Sequence, residues 1–370
     1  MPLMSPRVAA QIKKEFLCLL RDPKSRFILI GPPLVQLLIF SFAATLELKH
    51  VDLAVNNRDY GTWGHELEAR LGGARFVHQL HPVRSEDEIR NLVDRREVMA
   101  ALIVPENFSR AIESGQAAPV QIILDGRRAN ATQLLLGYLN SLIDDLNAEA
   151  AGNRHPMPDR LTIRHWFNPN LNYPWFVVPS LGGTMVMFVT LLVTSLSIAR
   201  ERELGTFDQL MVSPCTPIEI IFAKMAPALC IGLLLGLIMA ALAIGLFNTP
   251  FTGSLLPLLA SLLLFILSII GIGLMISSIC NTQQQAILGT FAVGVPAVLM
   301  SGFATPVENM PRILQWLAQA IPLKHYLIIL QGSFLKAMPT SEIIANAWPL
   351  ALIAAITLPA ATFFVRSKLQ

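Results

Sequence analysis

Charged residues are scarce in this chain of 370 residues, where they make up 14% of the composition against 53% hydrophobic residues. Soluble domains carry roughly 25% charged residues, so this balance predicts a membrane protein with a smaller water-exposed part. The formal net charge of +3 is too small to indicate a nucleic-acid partner.

Cysteine is also rare, and its placement excludes two further classes of site. None of the four cysteines lies in the polar stretch 47–172, so that stretch is built without disulfides. No Cys-x-x-Cys pair or Cys/His cluster occurs, which argues against a structural zinc site. His78 and His81 form an isolated pair that we interpret as surface histidines. The cysteines are Cys18, Cys215, Cys230 and Cys280.

Motifs for catalysis and ion transport are missing. No Gly-x-x-x-x-Gly-Lys-Ser/Thr loop is present, and no lysine follows a glycine, so the chain cannot hydrolyse ATP by that route. His65-Glu66 lacks the second histidine of a zinc protease, and no Gly-x-Ser-x-Gly elbow occurs. The long apolar runs contain no Asp, Glu, Arg or His, which argues against a proton-coupled pump or a channel with a charged filter. We therefore expect no enzyme.

Apolar runs long enough to cross a bilayer predict an α-helical polytopic membrane protein with six transmembrane helices. Segment 1–26 is basic and amphipathic, as expected for a helix on the cytoplasmic membrane surface, and its length favours an uncleaved anchor over a signal peptide. The Lys/Arg bias places this segment, the stretch 199–219 and the tail 366–370 on the cytoplasmic side of the inner (plasma) membrane, so both termini are predicted to be cytoplasmic. The predicted spans are 27–46, 173–198, 220–247, 255–279, 286–304 and 347–365.

The polar stretch 47–172 predicts an inserted extracytoplasmic α/β domain between the first two spans. Strand-length runs bounded by turn residues alternate in it with helical patterns. Ser85 and Glu88 match a capping box at the start of one helix. The predicted strands are 51–55, 98–104, 120–124 and 161–167, and the predicted helices are 64–71, 85–95 and 132–150.

The stretch 199–219 holds the densest group of charges in the C-terminal half of the chain, six of the fourteen Asp, Glu, Lys and Arg residues in 186–370. Arg200-Glu-Arg-Glu203 ends the second span, because four consecutive charges are costly in hydrocarbon. Thr216-Pro-Ile-Glu219 has the residues of a capped helix start. Between them, apolar residues recur at three- and four-residue steps, so we predict a short helical hairpin on one membrane face that serves as a docking element.

The run 199–214, Ala-Arg-Glu-Arg-Glu-Leu-Gly-Thr-Phe-Asp-Gln-Leu-Met-Val-Ser-Pro, with Glu219 and Lys224 beyond it, resembles the signature of the ABC type-2 transporter permease family. This resemblance implies the membrane subunit of an ATP-driven exporter, of the longer drug-efflux-like kind with a large extracytoplasmic domain. It identifies 199–219 as a cytoplasmic coupling hairpin that contacts separate ABC ATPase subunits. Those subunits would bind ATP and Mg²⁺, so this chain is expected to hold no cofactor. The candidate coupling residues are Arg200, Glu201, Arg202, Glu203, Gly205, Thr206, Phe207, Leu210 and Pro214. Glu203 is expected to pair with the ATPase, and Gly205 to let the helix bend or approach closely.

Segment 305–346 is predicted to form extracytoplasmic re-entrant or interfacial helices, because prolines interrupt it and aromatic residues suit the membrane interface. The order from Ser301 to Pro311, with Pro322 and Tyr326, resembles the family's extracytoplasmic helical turn. The residues so implied are Pro306, Glu308, Asn309 and Pro311. The turn 280–285, Cys-Asn-Thr-Gln-Gln-Gln, is polar but uncharged, and contact with protein and simple solvation both remain open for it.

A translocation path through the second span would be lined by Thr184, Met185, Phe188 and Thr190, although helix packing explains each of them singly. Such a lining suits a hydrophobic or amphipathic, drug-like cargo leaving the cytoplasm or the inner leaflet. Six spans are too few to enclose a wide path, so a dimer with a second copy or a paralogous permease is expected. Membrane lipid and a periplasmic adaptor protein are further candidate partners.

Other functions stay open. A permease for lipid or polysaccharide export belongs to the same class, although the resemblance implies that such relatives usually lack a large domain after the first span. A membrane-anchored extracytoplasmic binding or sensor protein is a different class, which would need a cytoplasmic effector segment for signalling. An intramembrane enzyme is opposed by the absence of reactive residues from the spans.

Overall fold

The structure is a computed structural model that describes residues 6–21, 50–116, 118–150, 172–206 and 215–367, with isolated positions 31, 35, 36, 39, 48, 167 and 168. It forms two compact units, one of residues 1–44 and 165–370 and the other of residues 45–164. The first described helix is α1 (Pro6–Arg21), in the predicted basic segment.

The unit 45–164 is built on a four-stranded mixed sheet with the order β2-β1-β3-β4. Strand β1 runs parallel to β2 and β3, whereas β4 pairs antiparallel with β3. In chain order the elements are β1 (Val51–Asn57), α2 (Thr62–Gly73), β2 (Val77–Pro82), α3 (Glu86–Asp94), β3 (Ala100–Val104), α4 (Phe108–Glu113), β4 (Gln121–Leu124) and α5 (Ala129–Ala150).

Alternate residues of the central strands face two different hydrophobic cores. Leu53 and Leu102 belong to a core that also contains leucines of α2 and α5. Ala54 and Ala101 belong to a smaller core with Ile89 of α3. This two-residue alternation is what a sheet covered on both faces requires. The unit therefore has the α/β layering that the sequence patterns predict.

Two details of this unit differ from the predictions. The sequence patterns do not predict β2, because Val-His-Gln-Leu-His-Pro contains no hydrophobic run and lies at the edge of the sheet. The capping box at Ser85 is only half formed: Ser85 Oγ accepts from the Glu88 N–H, but the Glu88 carboxylate accepts from the Arg84 N–H, 2.7 Å away. The predicted strand 161–167 lies outside the described residues, apart from Phe167.

In the part of the helical unit that the structure describes, four helices are long and apolar enough to cross a membrane. A fifth crossing results if α10 and α11, which meet at 79°, count as one bent span. In chain order the helices are α6 (Tyr173–Glu203), α7 (Pro217–Gly245), α8 (Leu255–Ile279), α9 (Gln283–Leu299), α10 (Arg312–Gln319), α11 (Pro322–Gln331), which continues as the π-helical turn Gly332–Lys336, and α12 (Thr340–Ser367). The long helices α6, α7, α8 and α12 are the four candidate spans.

Six crossings remain a prediction. Span 27–46 lies outside the described residues except at four isolated positions. Helix α9 has 17 residues, at the short limit for a bilayer. Helix α6 lies at the centre of the unit, since its residues are largely buried against α7, α8, α9 and α11.

Small residues let α8 approach two neighbours closely. Gly273 lies against Thr194 and Leu191 of α6. A Cβ atom on Gly273 would lie only 2.8 Å from the Cβ atom of Thr194 and 3.2 Å from the backbone oxygen of Leu191. On another side of α8, Gly271 lies against Thr357 of α12. Close backbone approach of this kind is a main source of helix association in membranes.

We predict that Gly273→Ala lowers the free energy of unfolding by about 1–3 kcal/mol, because the added methyl group overpacks the contact between α6 and α8. Thermal unfolding of the purified chain in detergent measures the change. Gly245→Ala is the matched control, since a Cβ atom at this helix position meets none of the described residues within 4 Å. Equal melting temperatures for the two variants would contradict the prediction.

Candidate functional site

Helix α6 ends in a Schellman motif directly after its four charged residues. The Thr206 N–H donates to the Glu201 carbonyl over 2.9 Å, and the Gly205 N–H donates to the Arg202 carbonyl over 3.1 Å. These are the two hydrogen bonds that define the motif. Gly205 has a φ of +65°, and a Cβ atom there would meet none of the described residues within 4 Å. Its backbone conformation, rather than a close contact among the described residues, is what favours glycine.

Lys14, Glu15, Glu201 and Lys224 form a charge cluster that joins α1, α6 and α7. Glu201 Oε1 accepts a hydrogen bond from Lys14 Nζ over 2.7 Å. Glu201 Oε2 forms an ion pair with Lys224 Nζ at 2.8 Å, with angles outside those of a hydrogen bond. Lys224 Nζ also donates to Glu15 Oε1 over 3.3 Å. Two ammonium groups and two carboxylates thus balance one another.

Lys224 is the most enclosed member of the charge cluster. Its side chain is 1% exposed, and Nζ donates a further hydrogen bond to the Ser197 carbonyl over 3.1 Å. Lys224 falls inside the predicted span 220–247, and that position in an apolar run was the signal for a paired, buried cation. In the sequence, Lys224 was noted only as part of the family signature, so this pairing was not predicted.

Lys14 is the more exposed cation of the charge cluster. Its partial burial alone would lower the pKa, but the hydrogen bond and charge of Glu201, with the charge of Glu15, raise the pKa above its ordinary value. Lys14 therefore stays protonated at neutral pH and keeps its attraction to Glu201. Nearby, an Arg200 nitrogen lies 3.4 Å from the Cys18 carbonyl of α1, which adds a second link between α1 and α6.

The next two residues, Arg202 and Glu203, form a turn clamp on the turn between α8 and α9. Arg202 Nη1 donates to the carbonyls of Ser278 and Cys280 over 2.7 Å and 3.1 Å. Glu203 Oε2 accepts from the backbone N–H of Gln283, over 2.6 Å. A cation thus lies at the carboxyl end of α8 and an anion at the amino end of α9, as the helix dipoles favour.

The amide-rich turn 280–285 therefore contacts protein, which settles the choice left open by its sequence. Its contacts come from the charges of α6, so the turn needs none of its own. Within the turn, Thr282 caps α9 by accepting from the Gln285 N–H over 3.3 Å, and the Gln285 side chain accepts from the Asn281 N–H over 2.9 Å.

The other end of the predicted hairpin carries the full capping box expected from Thr216 and Glu219. Thr216 Oγ1 accepts from the Glu219 N–H over 3.4 Å, and Glu219 Oε2 accepts from the Thr216 N–H over 2.8 Å. Phe207, Leu210 and Pro214 lie outside the described residues. The structure thus brings Arg200 to Thr206 together at the end of α6.

The candidate path residues lie on α6 inside the bundle. Thr184 and Met185 are buried, and the Thr184 hydroxyl donates to the Ser180 carbonyl over 2.9 Å. Phe188 packs against Phe291 of α9, with ring centres 5.9 Å apart. Thr190 is fully buried near Gly232 of α7. In one copy of the chain these four residues pack against neighbouring helices.

The residues of the predicted extracytoplasmic turn lie on the surface before α10. Pro306 and Pro311 precede a short 3-10 helix, Val307–Asn309, and α10 respectively. The Gln315 side chain donates to the carbonyl of Glu308 over 3.1 Å, which ties the turn to α10. Glu308 and Asn309 are exposed.

The histidines and cysteines that the sequence singles out do not form a common site among the described residues. His78 Nδ1 lies 3.0 Å from Asp52 Oδ1 in the α/β unit. In the ranges that the structure describes, no group of three or more His, Cys, Asp or Glu residues converges on a possible metal position. All four cysteines are free thiols.

We predict that Glu201→Gln lowers the free energy of unfolding by about 3 kcal/mol or more, because it leaves the enclosed Lys224 ammonium short of negative charge. Lys14→Gln is the comparison. Since its side chain is 43% exposed, that change should cost about 1 kcal/mol or less. Chemical unfolding of both variants in detergent measures the difference, and equal losses would show that burial of Lys224 does not govern the cluster.

Comparison with known proteins agrees with these features over nearly the whole chain. Residues 24–363 match the profile of a family described as ABC-2 family transporter protein. The chain is 40% identical over 368 residues to the probable multidrug ABC transporter permease YbhR of Escherichia coli strain K12, covering 99% of this chain and 100% of that protein. It is 26% identical over 352 residues to the probable multidrug ABC transporter permease YbhS of the same strain, covering 93% of each. It is 29% identical over 328 residues to the inner membrane transport permease YhhJ of that strain, covering 83% of this chain and 85% of that protein. The chain therefore belongs to the ABC-2 family of transporter proteins and is an ABC transporter permease.

Proposed function

We propose that this permease exports hydrophobic or amphipathic, drug-like substrates from the cytoplasm or the inner leaflet of the inner membrane. ATP hydrolysis by separate ABC ATPase subunits supplies the energy. The names of two relatives, the probable multidrug ABC transporter permeases YbhR and YbhS, support this substrate class. The absence of a phosphate-binding loop from the sequence supports a separate ATPase.

The observation that carries the proposal is the anchoring of the end of α6. The four charges Arg200 to Glu203 contact α1, α7, α8 and α9, so the stretch 204–216 starts from a point fixed to four other helices. A partner that moves this stretch acts on all of them together. Coupling hairpins work through rigid-body shifts of such packed elements.

Exposed apolar side chains flank the proposed docking stretch. Leu204 is 62% exposed at the end of α6, and Ile218 is 59% exposed at the start of α7. Apolar side chains of this kind gain most from burial against a partner. Phe207, Leu210 and Pro214 complete the proposed docking residues, and Glu203, whose side chain is exposed, stays within reach of the partner.

The proposed topology places the charge cluster at the cytoplasmic face and residues 47–172 outside. The Lys14–Glu201 contact supports a common side for α1 and the end of α6. The opposite half of α6 contacts α11, since the Gln331 side chain donates to Ser180 Oγ over 2.9 Å. That contact supports an extracytoplasmic position for segment 305–346. Both termini are then cytoplasmic.

The transport unit in this proposal contains two permeases, either two copies or a pair of paralogues. Thr184, Met185, Phe188 and Thr190 would meet the cargo only when α6 and its neighbours shift, since they are packed in the single chain. Exposed apolar residues of α9, such as Leu288 and Phe291, support a lipid or permease neighbour for that helix. The α/β unit would pass cargo to a periplasmic adaptor.

We predict that Leu204→Ser weakens recovery of the ATPase subunit with tagged permease roughly ten-fold, because it removes an apolar contact worth about 1.5 kcal/mol or more. Purification in mild detergent, with quantification of the co-purified ATPase, measures the effect. Leu246→Ser is the matched control, because Leu246 is 53% exposed at the other end of α7.

Equal ATPase recovery with Leu204→Ser and Leu246→Ser would refute docking at the end of α6. Recovery of the wild-type chain without any ATPase, in several detergents, would instead favour an anchored extracytoplasmic binding protein, with its function in the unit 45–164.

A further inference from the structure

Helix α9 is attached to the bundle along one narrow edge. Its buried residues are Ala286, Thr290 and Gly294, which recur every fourth position on a single face. Leu288 and Phe291, on other faces, are 69% and 52% exposed. Much of the surface of α9 is therefore left uncovered by the described residues of a single chain.

Contacts with α6 recur along this edge. At the amino end, the Gln283 N–H donates to Glu203 Oε2 over 2.6 Å. Two turns further, the hydroxyls of Thr290 and Ser195 are hydrogen-bonded over 2.7 Å. Beyond them, Gly294 lies against the ring of Phe188. Only the first contact is charged, and it lies beside the proposed docking stretch.

The charge of Glu203 matches its place at the start of α9. The first N–H groups of a helix have no partner within the helix, and the helix dipole favours an anion there. The neighbouring Arg202 fixes the end of α8 by two carbonyls, so the turn 280–282 is held from both sides. Glu203 thus joins α6 to α9 while Arg202 keeps the connection to α8 in place.

We propose that Glu203 is a positioning residue that transmits movement of the docking stretch to α9 by holding the first N–H of that helix on the end of α6. This inference rests on the proposed function, because the ATPase supplies the movement. The same edge ends at Phe188, a proposed path residue, so a displacement that starts at Glu203 follows the edge to the interior of the bundle.

Because the donor is a backbone N–H of α9, the hydrogen bond can be removed without mutating Glu203 itself. Gln283 is the first residue of α9, where proline is well tolerated and removes only an N–H. Thr282 before it has φ −128° and ψ 156°, the extended conformation that a residue before proline prefers. Gln283→Pro therefore removes the donor, Glu203→Ala removes the acceptor, and Gln283→Ala is the matched control that keeps the N–H.

Two measurements on the full chain test two things separately: whether Glu203 holds the start of α9, and whether this contact transmits movement. In the purified chain without ATPase, spin labels at the exposed positions 204 and 288 report the distance between the end of α6 and α9. In the complex with ATPase, a fluorophore at position 288 alone reports movement of α9 on addition of MgATP with vanadate. ATPase co-purification and ATP hydrolysis are recorded for every variant.

We expect Glu203→Ala and Gln283→Pro to broaden the distance distribution and abolish the fluorescence response, with the ATPase still bound and Gln283→Ala like wild type. The double variant should be no worse than either single variant, since both remove one interaction. Loss of ATPase binding in Glu203→Ala, with a normal response in Gln283→Pro, would overturn the proposal and make Glu203 a direct ATPase contact.

Failure of the proposed function gives a different result. In that case the wild-type complex shows no response to nucleotide or binds no ATPase. The spin-label distances then decide the clamp alone, and unchanged distances in both Glu203→Ala and Gln283→Pro would overturn it. If Gln283→Pro does not fold, ATPase retention with a lost response in Glu203→Ala supports the proposal, and ATPase loss overturns it.

Discussion

The ion pair between Glu201 and Lys224, 2.8 Å apart, is the interaction on which the charged end of the bundle depends. An ammonium group with 1% exposure has lost its hydration and needs compensating charge at close range. Glu201 also pairs with Lys14, so its single charge cannot neutralise both lysines, and Glu15 supplies the second negative charge. Because these residues come from α1, α6 and α7, neutralising Lys224 also fixes how the three helices meet.

The order of the four charges explains why they reach so many neighbours. Consecutive residues of an α-helix point about 100° apart, so four in a row cover every side of its last turn. Arg200 and Glu201 contact α1 and α7, while Arg202 and Glu203 contact the ends of α8 and α9. Alternation of sign suits these neighbours, since a helix carboxyl end favours a cation and an amino end favours an anion. The run from Arg200 to Glu203, which in the sequence marks only the polar end of a span, thus connects the end of α6 to four other helices.

Local patterns predicted much of the fold, and long-range pairing accounts for what they missed. The apolar run 255–279 is a helix over Leu255–Ile279, and the capping box at Thr216 is present because both signals are local. The partners of Glu201 are not local, as Lys14 lies 187 residues away in the chain. Strand β2 was missed because the parallel pairing with β1 defines it, rather than its own composition. For the turn 280–285, the sequence could not decide between contact with protein and solvation for the same reason, because the charged residues that bind the turn belong to α6.

Helix α9 is held to α6 by a charged hydrogen bond at its first residue and by packing of small residues further along. At its start, a carboxylate and a backbone N–H make a short, directed bond that resists separation. Further along, Ala286, Thr290 and Gly294 present small side chains, which let α9 approach its neighbours closely. Packed interiors switch between discrete arrangements rather than deform continuously. In the proposed coupling, α9 therefore follows the end of α6, held by a charged hydrogen bond at its start and by close packing of small residues beyond it.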